Sequence, residues 1–253
     1  EATGGADGLS GNAGSDIVLG GVNDGGVDTL YGDRAAPTPA SIAFDADDIL
    51  LGDNGLLDFT YLSDTDRNTL DLIRSFEDGS GGVDVVSGDR GLDVAIGGSA
   101  GDTIYGDDAS ASAGAMDLGD LLLGDNADVF LVDALGASGG DAKLVLGAAV
   151  KTIRTTDEEH PEYGGTDTIS GNAGGDLVAG GVFGDTLYGD RLLEDATATD
   201  DGDDVILGDN GAFEWLSSGR LNEIHGIAIA SENPALWAKF GTAMADTDLT
   251  TLD

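Results

Sequence analysis

The chain has 253 residues, including 43 glycines and no cysteine, and its 49 acidic residues against 10 basic ones give a formal charge of −39. The lack of cysteine excludes disulfides and thiolate metal sites, and a polyanion of this size repels nucleic acid and anionic membrane. Its carboxylates repel one another in any compact state, so the chain must either stay disordered or take up cations. Disorder fits poorly, because 40% of the residues are hydrophobic and they recur on a fixed period. A salt-adapted enzyme would scatter its surplus acid over a surface, whereas here it falls in register.

In chain order, the first group of landmarks is Asp7, Asp16, Asp28 and Asp48, each followed two residues later by an aliphatic side chain: Leu9, Val18, Leu30 and Leu50. The segment Gly11-Asn-Ala-Gly-Ser-Asp-Ile-Val-Leu19 shows the pattern: turn-forming residues first, Asp sixth and an aliphatic residue eighth. An insertion from Asp33 to Asp45 predicts a surface loop. The group closes on the tag Leu51-Gly-Asp-Asn54, after which the period breaks through Phe59 and returns after Ile73-Arg-Ser75.

The second group repeats this order. It carries Asp84, Asp93, Asp102 and Asp120, with Val86, Ala95, Ile104 and Leu122 as inward candidates. A loop follows from Asp107 to Asp117, then the tag Leu123-Gly-Asp-Asn126 and an excursion holding Phe130 and ending at Ile153-Arg-Thr155. The third group carries Asp167, Asp176, Asp185 and Asp204 with Ile169, Val178, Leu187 and Ile206, a loop from Asp190 to Asp201, and the tag Leu207-Gly-Asp-Asn210. Its excursion begins with Phe213 and Trp215. There Asn233-Pro234 predicts a short helix through Leu236, Trp237 and Phe240, since Asn caps helices and Pro suits the first helical position.

The two consecutive copies Gly88-Asp-Arg-Gly-Leu-Asp-Val-Ala-Ile96 and Gly97-Gly-Ser-Ala-Gly-Asp-Thr-Ile-Tyr105 sit beside Gly171-Asn-Ala-Gly-Gly-Asp-Leu-Val-Ala179 and Gly180-Gly-Val-Phe-Gly-Asp-Thr-Leu-Tyr188. They resemble the nonapeptide G-G-x-G-x-D-x-U-x of the repeats-in-toxin (RTX), hemolysin-type calcium-binding proteins. The expected fold is all-β: a parallel β-roll, or right-handed β-solenoid, in three four-rung blocks with inserted hairpins or lobes docked on its side. The blocks are expected at 1–59, 81–130 and 164–212. The insertions are expected at 60–80 and 131–163, with a C-terminal lobe over 213–253.

The chemistry follows from the spacing. Ca²⁺ takes six to eight oxygen ligands from carboxylates and carbonyls, and a glycine-rich turn can aim successive carbonyls at one point. With each nonapeptide forming half a coil, Asp84 pairs with Asp102, Asp167 with Asp185 and Asp7 with Asp28 on one edge. On the other edge Asp16 faces Asp48, Asp93 faces Asp120 and Asp176 faces Asp204. Several calcium ions are the expected cofactor, held by these twelve aspartates with turn carbonyls, as the resemblance implies; Asp53, Asp89, Asp125 and Asp209 are candidate additional ligands. The turn Leu118-Gly119-Asp120 departs from the motif, which puts its ion in doubt. A single Asp-Gly turn is an ordinary solvated turn; twelve in register call for another cause. Mg²⁺ wants a tight octahedron, and zinc would have only His160 and His225, far apart in sequence.

No H-E-x-x-H or G-x-S-x-G motif is present, and no Ser/His/Asp constellation is suggested, so the chain is not expected to be an enzyme. The leading expectation is a calcium-stiffened structural segment of a large secreted or cell-surface bacterial protein, such as an adhesin, filament or surface layer. The alternative is the calcium-binding module of a secreted enzyme or toxin exported by type I secretion, whose catalytic domain lies elsewhere. A third reading is an interaction module acting through Trp215 and Trp237. No apolar run reaches the ~20 residues that span a bilayer, and a leader that was removed, or an excerpt, is expected at Glu1. Leu249-Thr-Thr-Leu-Asp253 continued into Glu1-Ala-Thr-Gly-Gly-Ala-Asp7 matches Ile73 to Asp84 in character, which predicts copies joined head to tail.

Overall fold

The computed structural model describes residues 4–23, 25–33, 46–61, 70–76, 79–107, 119–131, 150–157, 160–190, 202–215 and 221–226. Within them the chain repeats one circuit three times. The first circuit is β1 (Gly8–Ser10), β2 (Ile17–Leu19), β3 (Val27–Tyr31), β4 (Ile49–Leu51), β5 (Gly55–Asp58) and β6 (Leu72–Ser75). The second is β7 (Val83–Ser87), β8 (Val94–Ile96), β9 (Thr103–Tyr105), β10 (Leu121–Leu123), β11 (Ala127–Leu131) and β12 (Val150–Thr155). The third is β13 (Thr168–Ser170), β14 (Leu177–Ala179), β15 (Thr186–Tyr188), β16 (Val205–Leu207), β17 (Gly211–Trp215) and β18 (Leu221–Gly226).

Odd-numbered rungs collect into sheet A, in the order β1-β3-β7-β9-β13-β15, and even-numbered rungs into sheet B, β2-β4-β8-β10-β14-β16. All pairings in both are parallel and in unbroken register, with the eighth position of each nonapeptide facing its counterpart: Leu9, Leu30, Val86, Ile104, Ile169 and Leu187 in sheet A. This is the expected parallel β-roll. The three blocks are not separate bodies, because β3 pairs directly with β7 and β9 with β13, which joins the roll strands of the three circuits into one stack.

Short turns make such three-residue strands possible. In five regular turns the second and fourth positions are both left-handed: Asn12 and Gly14, Asp89 and Gly91, Gly98 and Ala100, Asn172 and Gly174, Gly181 and Phe183. Asn and Asp tolerate this region, whereas Ala100 and Phe183 bear a steric cost of about 1–2 kcal/mol each.

Two cores result. The inner one lies between sheets A and B and is built from the eighth-position residues, among them Leu30, Leu50, Val86, Ile104, Leu122, Ile169 and Val178. Ile206 departs from the expectation: it sits on the last strand of sheet B and is 46% exposed. The second core lies beneath the excursions, which take the hairpin form, one of the two expected, and dock on the side of the roll. The excursions form three antiparallel hairpins that join edge to edge as sheet C, β18-β17-β12-β11-β6-β5, lying over the outer face of sheet B. The physical reason is the composition of sheet B. Its strands are apolar at all three positions (Ile49-Leu50-Leu51, Val94-Ala95-Ile96, Leu121-Leu122-Leu123), whereas sheet A strands alternate, as in Thr103-Ile104-Tyr105. A sheet apolar on both faces must be covered on both. Ile49, Leu51, Val94, Ile96, Leu121 and Leu123 therefore pack against Ile73, Val129, Ile153 and Phe213 of sheet C.

Within sheet C, Ile224-His225-Gly226 pairs with Gly211-Ala212-Phe213 in the register that Ile153-Arg154-Thr155 holds against Ala127-Asp128-Val129. The third equivalent of Ile73-Arg74-Ser75 is thus β18. The segment Leu249–Asp253, aligned from the sequence with Ile73 onward although β18 takes that place in sheet C, lies outside the described residues, as do the predicted helix after Pro234, Trp237 and all but the first residues of the three predicted surface loops.

Candidate metal-binding edges

The sixth-position aspartates stand at the head of each roll strand and form two continuous columns. Along sheet A, the backbone N–H of Asp7 donates to Oδ1 of Asp28 (2.7 Å), Asp28 to Asp84 (3.2 Å), Asp84 to Asp102 (2.8 Å), Asp102 to Asp167 (2.7 Å) and Asp167 to Asp185 (3.0 Å). Along sheet B, Asp16 donates to Asp48 (2.6 Å), Asp48 to Asp93 (2.7 Å), Asp93 to Asp120 (2.8 Å), Asp120 to Asp176 (2.8 Å) and Asp176 to Asp204 (3.0 Å). All six expected pairs are neighbours, and four further hydrogen bonds link the groups to one another. Asp120 holds its place in the column even though its turn departs from the motif.

Oδ1 of ten of the twelve aspartates is thereby used, while Asp7 and Asp16 stand at the column ends and only donate. Asp28, Asp48, Asp84 and Asp167 are fully buried and Asp102 is 2% exposed, yet Oδ2 of each has no hydrogen-bond partner. These oxygens press against the glycine that opens the same turn, together with a glycine carbonyl of the next rung. A methyl on Gly97 would lie 2.4 Å from Asp102 Oδ2 and 2.3 Å from Gly124 O, and one on Gly106 2.3 Å from Asp120 Oδ2 and 2.4 Å from Gly171 O. The glycines are there because no side chain fits. Each turn thus brings a carboxylate oxygen and a carbonyl oxygen of the next rung together in a buried place.

Charge cannot rest there uncompensated. Burial pushes Asp84 up to about 7, with the neighbouring Asp53 carboxylate adding to the effect. Burial likewise lifts Asp48 to about 8 and Asp167 to about 7, partly offset by the N–H groups of Asp16 and Asp102 respectively. Asp102 is held well above the usual carboxylate range, by burial first and then by the charges of Asp167 and Asp84. Asp16 and Asp185, nearer the ends, are raised by burial as well. At neutral pH the columns require either protons or cations.

The candidate additional ligands divide. Asp53 uses both oxygens as a clamp, accepting from the N–H of Gly82 (3.0 Å) and of Ser99 (2.6 Å). Asp125 repeats this one block later with Gly165 (2.7 Å) and Val182. Burial, and then the charge of Asp167, push Asp125 up to about 9. Their first role is therefore to fasten one block's turn to the next block. Asp209, their third equivalent, is exposed. Asp89, 5% exposed, accepts from the N–H of Asp33 (3.1 Å) and lies close enough to Asp48 to raise it.

Sequence reasoning missed two acids on this edge. Asp33 and Asp107 are buried, at 2% and 4% exposure, directly after the turn glycines Gly32 and Gly106. Asp107 Oδ2 accepts from Ala173 N–H (2.8 Å) while its Oδ1 has no hydrogen-bond partner. The signal was available, because Asn12, Asp89, Asn172 and Asp190 occupy the same place after Gly11, Gly88, Gly171 and Gly189.

Among the described residues, no three His, Cys, Asp or Glu side chains converge as a ligand set. A cation here would draw much of its shell from turn carbonyls. The donor set still fits a hard ion: oxygen only, anionic, with an aspartate on every rung and, on the inner rungs Asp28, Asp48, Asp84, Asp102 and Asp167, a buried carboxylate oxygen without a hydrogen-bond partner. His160 stacks on Tyr163, with ring centroids 5.0 Å apart, and does not belong to the edge.

Elsewhere, Asp128 on the outer side of sheet C is fully buried between Arg74 and Arg154. Arg154 Nη2 lies 2.7 Å from Oδ2, and the Arg154 guanidinium also sits 5.6 Å above the Phe130 ring centroid. This is a structural ion cluster.

The chain matches no family model, no curated protein and no solved structure.

Proposed function

We propose that this chain is a calcium-binding structural segment of a large secreted or cell-surface bacterial protein, folded and stiffened by the ions it holds. The observation that carries the reading is the repeated, buried Oδ2 without a hydrogen-bond partner on Asp28, Asp48, Asp84, Asp102 and Asp167. A buried carboxylate left unpaired opposes folding strongly, and a native chain does not repeat such a defect on rung after rung unless something compensates it. When bound, calcium supplies positive charge and accepts oxygen lone pairs from both the carboxylates and the turn carbonyls. The chain's own residues set the geometry: the N–H of one aspartate fixes Oδ1 of the next, which leaves Oδ2 beside the carbonyl of the following rung. The Asp53 and Asp125 clamps hold successive turns at one spacing.

Binding and folding are then coupled. The test is a calcium titration of chelator-treated chain, followed by circular dichroism and by direct counting of bound metal. A gain of β signal at about 10⁻⁴–10⁻³ M calcium, the range of extracellular modules, with several ions retained and a weaker response to magnesium, is expected. No retained calcium together with an unchanged spectrum overturns the reading. Extracellular placement follows from that concentration range, and the segment itself performs no catalysis.

A further inference from the structure

We infer that the two ends of the roll are complementary to each other, and that the partner they fit is a second copy of this chain, docked end to end with all three sheets continuing. The inference deepens the structural reading by naming its partner, and it rests on hydrogen-bonding surfaces, not on the cation.

The molecule contains the same junction twice. Between the first and second circuits β3 meets β7, β4 meets β8 and β6 meets β11; between the second and third, β9 meets β13, β10 meets β14 and β12 meets β17. At both, a tyrosine ending the last sheet A strand faces a serine ending the next: Tyr31 with Ser87 and Tyr105 with Ser170. At both, an aspartate of the tag clamps two N–H groups of the following circuit, as Asp53 and Asp125 do.

The outer ends carry the two halves of a third such junction. At one end stand β15, β16 and β18, ending in Tyr188 and bearing the exposed Asp209; at the other stand β1, β2 and β5, with Ser10 in the matching place. The clamp's receiving side is also present. Gly81 and Gly98 lie against Asp53, and Gly164 and Gly181 against Asp125, leaving no room for a side chain. Their counterparts in the first circuit are again glycines: at Gly4 the chain's own Val22 carbonyl stands where a methyl would lie, whereas Gly21 has the same left-handed backbone (φ 95°) and its open side meets nothing nearer than 3.8 Å. By this equivalence Asp209 accepts from the N–H groups of Gly5 and Val22 of the next copy, and the Asp185 N–H group donates to its Asp7.

The apolar surface agrees. Of the eight large hydrophobic residues exposed among the described residues, four (Ile17, Leu19, Leu56 and Ile206) lie on the end strands β2, β5 and β16. In the junction register Leu207 meets Leu19 and Ile206 meets Val18, as Leu123 meets Ala179 and Leu122 meets Val178 inside the chain. Because the two surfaces differ, the interface is head to tail and does not close on itself, so it generates a line of copies.

The experiment uses the whole chain with Asp209→Ala, which damages one end, and Leu19→Lys, which damages the other. Size is read by sedimentation velocity in buffer where circular dichroism shows the β fold, either with calcium or metal-free at pH 5. The parent chain is expected to form concentration-dependent linear assemblies. Each variant is expected to associate at least about tenfold more weakly, because one removes charge-assisted hydrogen bonds and the other puts a charge into the apolar seam. Mixed one to one, the variants retain one intact junction between them and stop at dimers. A folded parent that stays monomeric, variants that assemble like the parent, or a mixture that stays monomeric each overturn the inference. Assembly of the acid-folded chain, in a protein that retains no calcium and whose spectrum calcium leaves unchanged at neutral pH, supports the inference and overturns only the calcium reading.

Discussion

The backbone N–H of Asp102 donates to Oδ1 of Asp167 at 2.7 Å, although 65 residues separate the two. The bond joins the second circuit to the third, and Asp102 in turn accepts from Asp84 N–H within its own circuit. Asp102 thus accepts through its carboxylate from the strand below and donates through its backbone N–H to the strand above, with its second carboxylate oxygen left over for another task.

That division gives Asp102→Asn opposite effects in two buffers. The amide oxygen can still accept from Asp84, and the buried charge disappears, so the chelator-treated variant unfolds at higher denaturant than the parent. With calcium present the order reverses, because the anionic ligand is gone. Calcium affinity falls about tenfold or more, at least what losing outer-shell support costs. Paired urea melts with and without calcium check both signs; melts shifted the same way in the two buffers contradict the assignment.

Acid should fold the metal-free chain. Asp48, Asp84 and Asp167 have values pushed from 3.8 up to about 8, 7 and 7 in the fold. A group raised in the folded state stabilises it fully below the unfolded value and loses that contribution as pH climbs through the folded one. In chelator, β structure is therefore greatest near pH 4 and is lost between about pH 4 and 8. Calcium, competing with those protons, binds more tightly as pH rises through the same window. Circular dichroism across pH, with and without the ion, measures both trends.

Gly88→Ala and Gly184→Ala form a matched pair. A methyl at Gly88 would lie 2.2 Å from Gly106 O and 2.5 Å from Asp93 Oδ2, whereas at Gly184 nothing lies within 4 Å. The first substitution is expected to destabilise the calcium-loaded chain by about 3 kcal/mol, the upper part of the usual overpacking range, and the second to be near neutral. Thermal melts in calcium decide it, and equal losses would contradict the close packing of the turn.

Sheet C has its own keystone. Arg74 and Arg154 flank the fully buried Asp128. Replacing Arg154 alone by Ala leaves one partner and costs about 1 kcal/mol, as a partly exposed pair does. Replacing both strands a buried carboxylate and costs about 3–5 kcal/mol. A double-mutant cycle measured by urea unfolding should show this excess over additivity; strictly additive losses would mean that Asp128 finds other compensation.

Much of this architecture was legible from twelve aspartates and the aliphatic residue that follows each by two, since a nine-residue period leaves a stacked coil few alternatives. What escaped was the difference between odd and even rungs. Thr-Ile-Tyr at 103–105 and Leu-Leu-Leu at 121–123 satisfy the same motif, yet only the second has apolar side chains on both faces, which calls for another layer. The strand at Ile224-His225-Gly226 was hidden because His and Gly replace the Arg and Ser of its first counterpart, although backbone pairing needs neither. The buried Asp33 and Asp107 were read as the start of loops, since each adjoins an insertion and a solvated Asp is the ordinary expectation there.

In all three sheets the interstrand hydrogen bonds run along the stack, not across it. A lengthwise pull therefore loads those bonds head-on and peels rungs one after another from an end. It does not shear many bonds at once, as it would between strands lying parallel to the force. The aspartate columns lie on that same line of tension, and a tether built this way would yield by steps, each step the release of one coil.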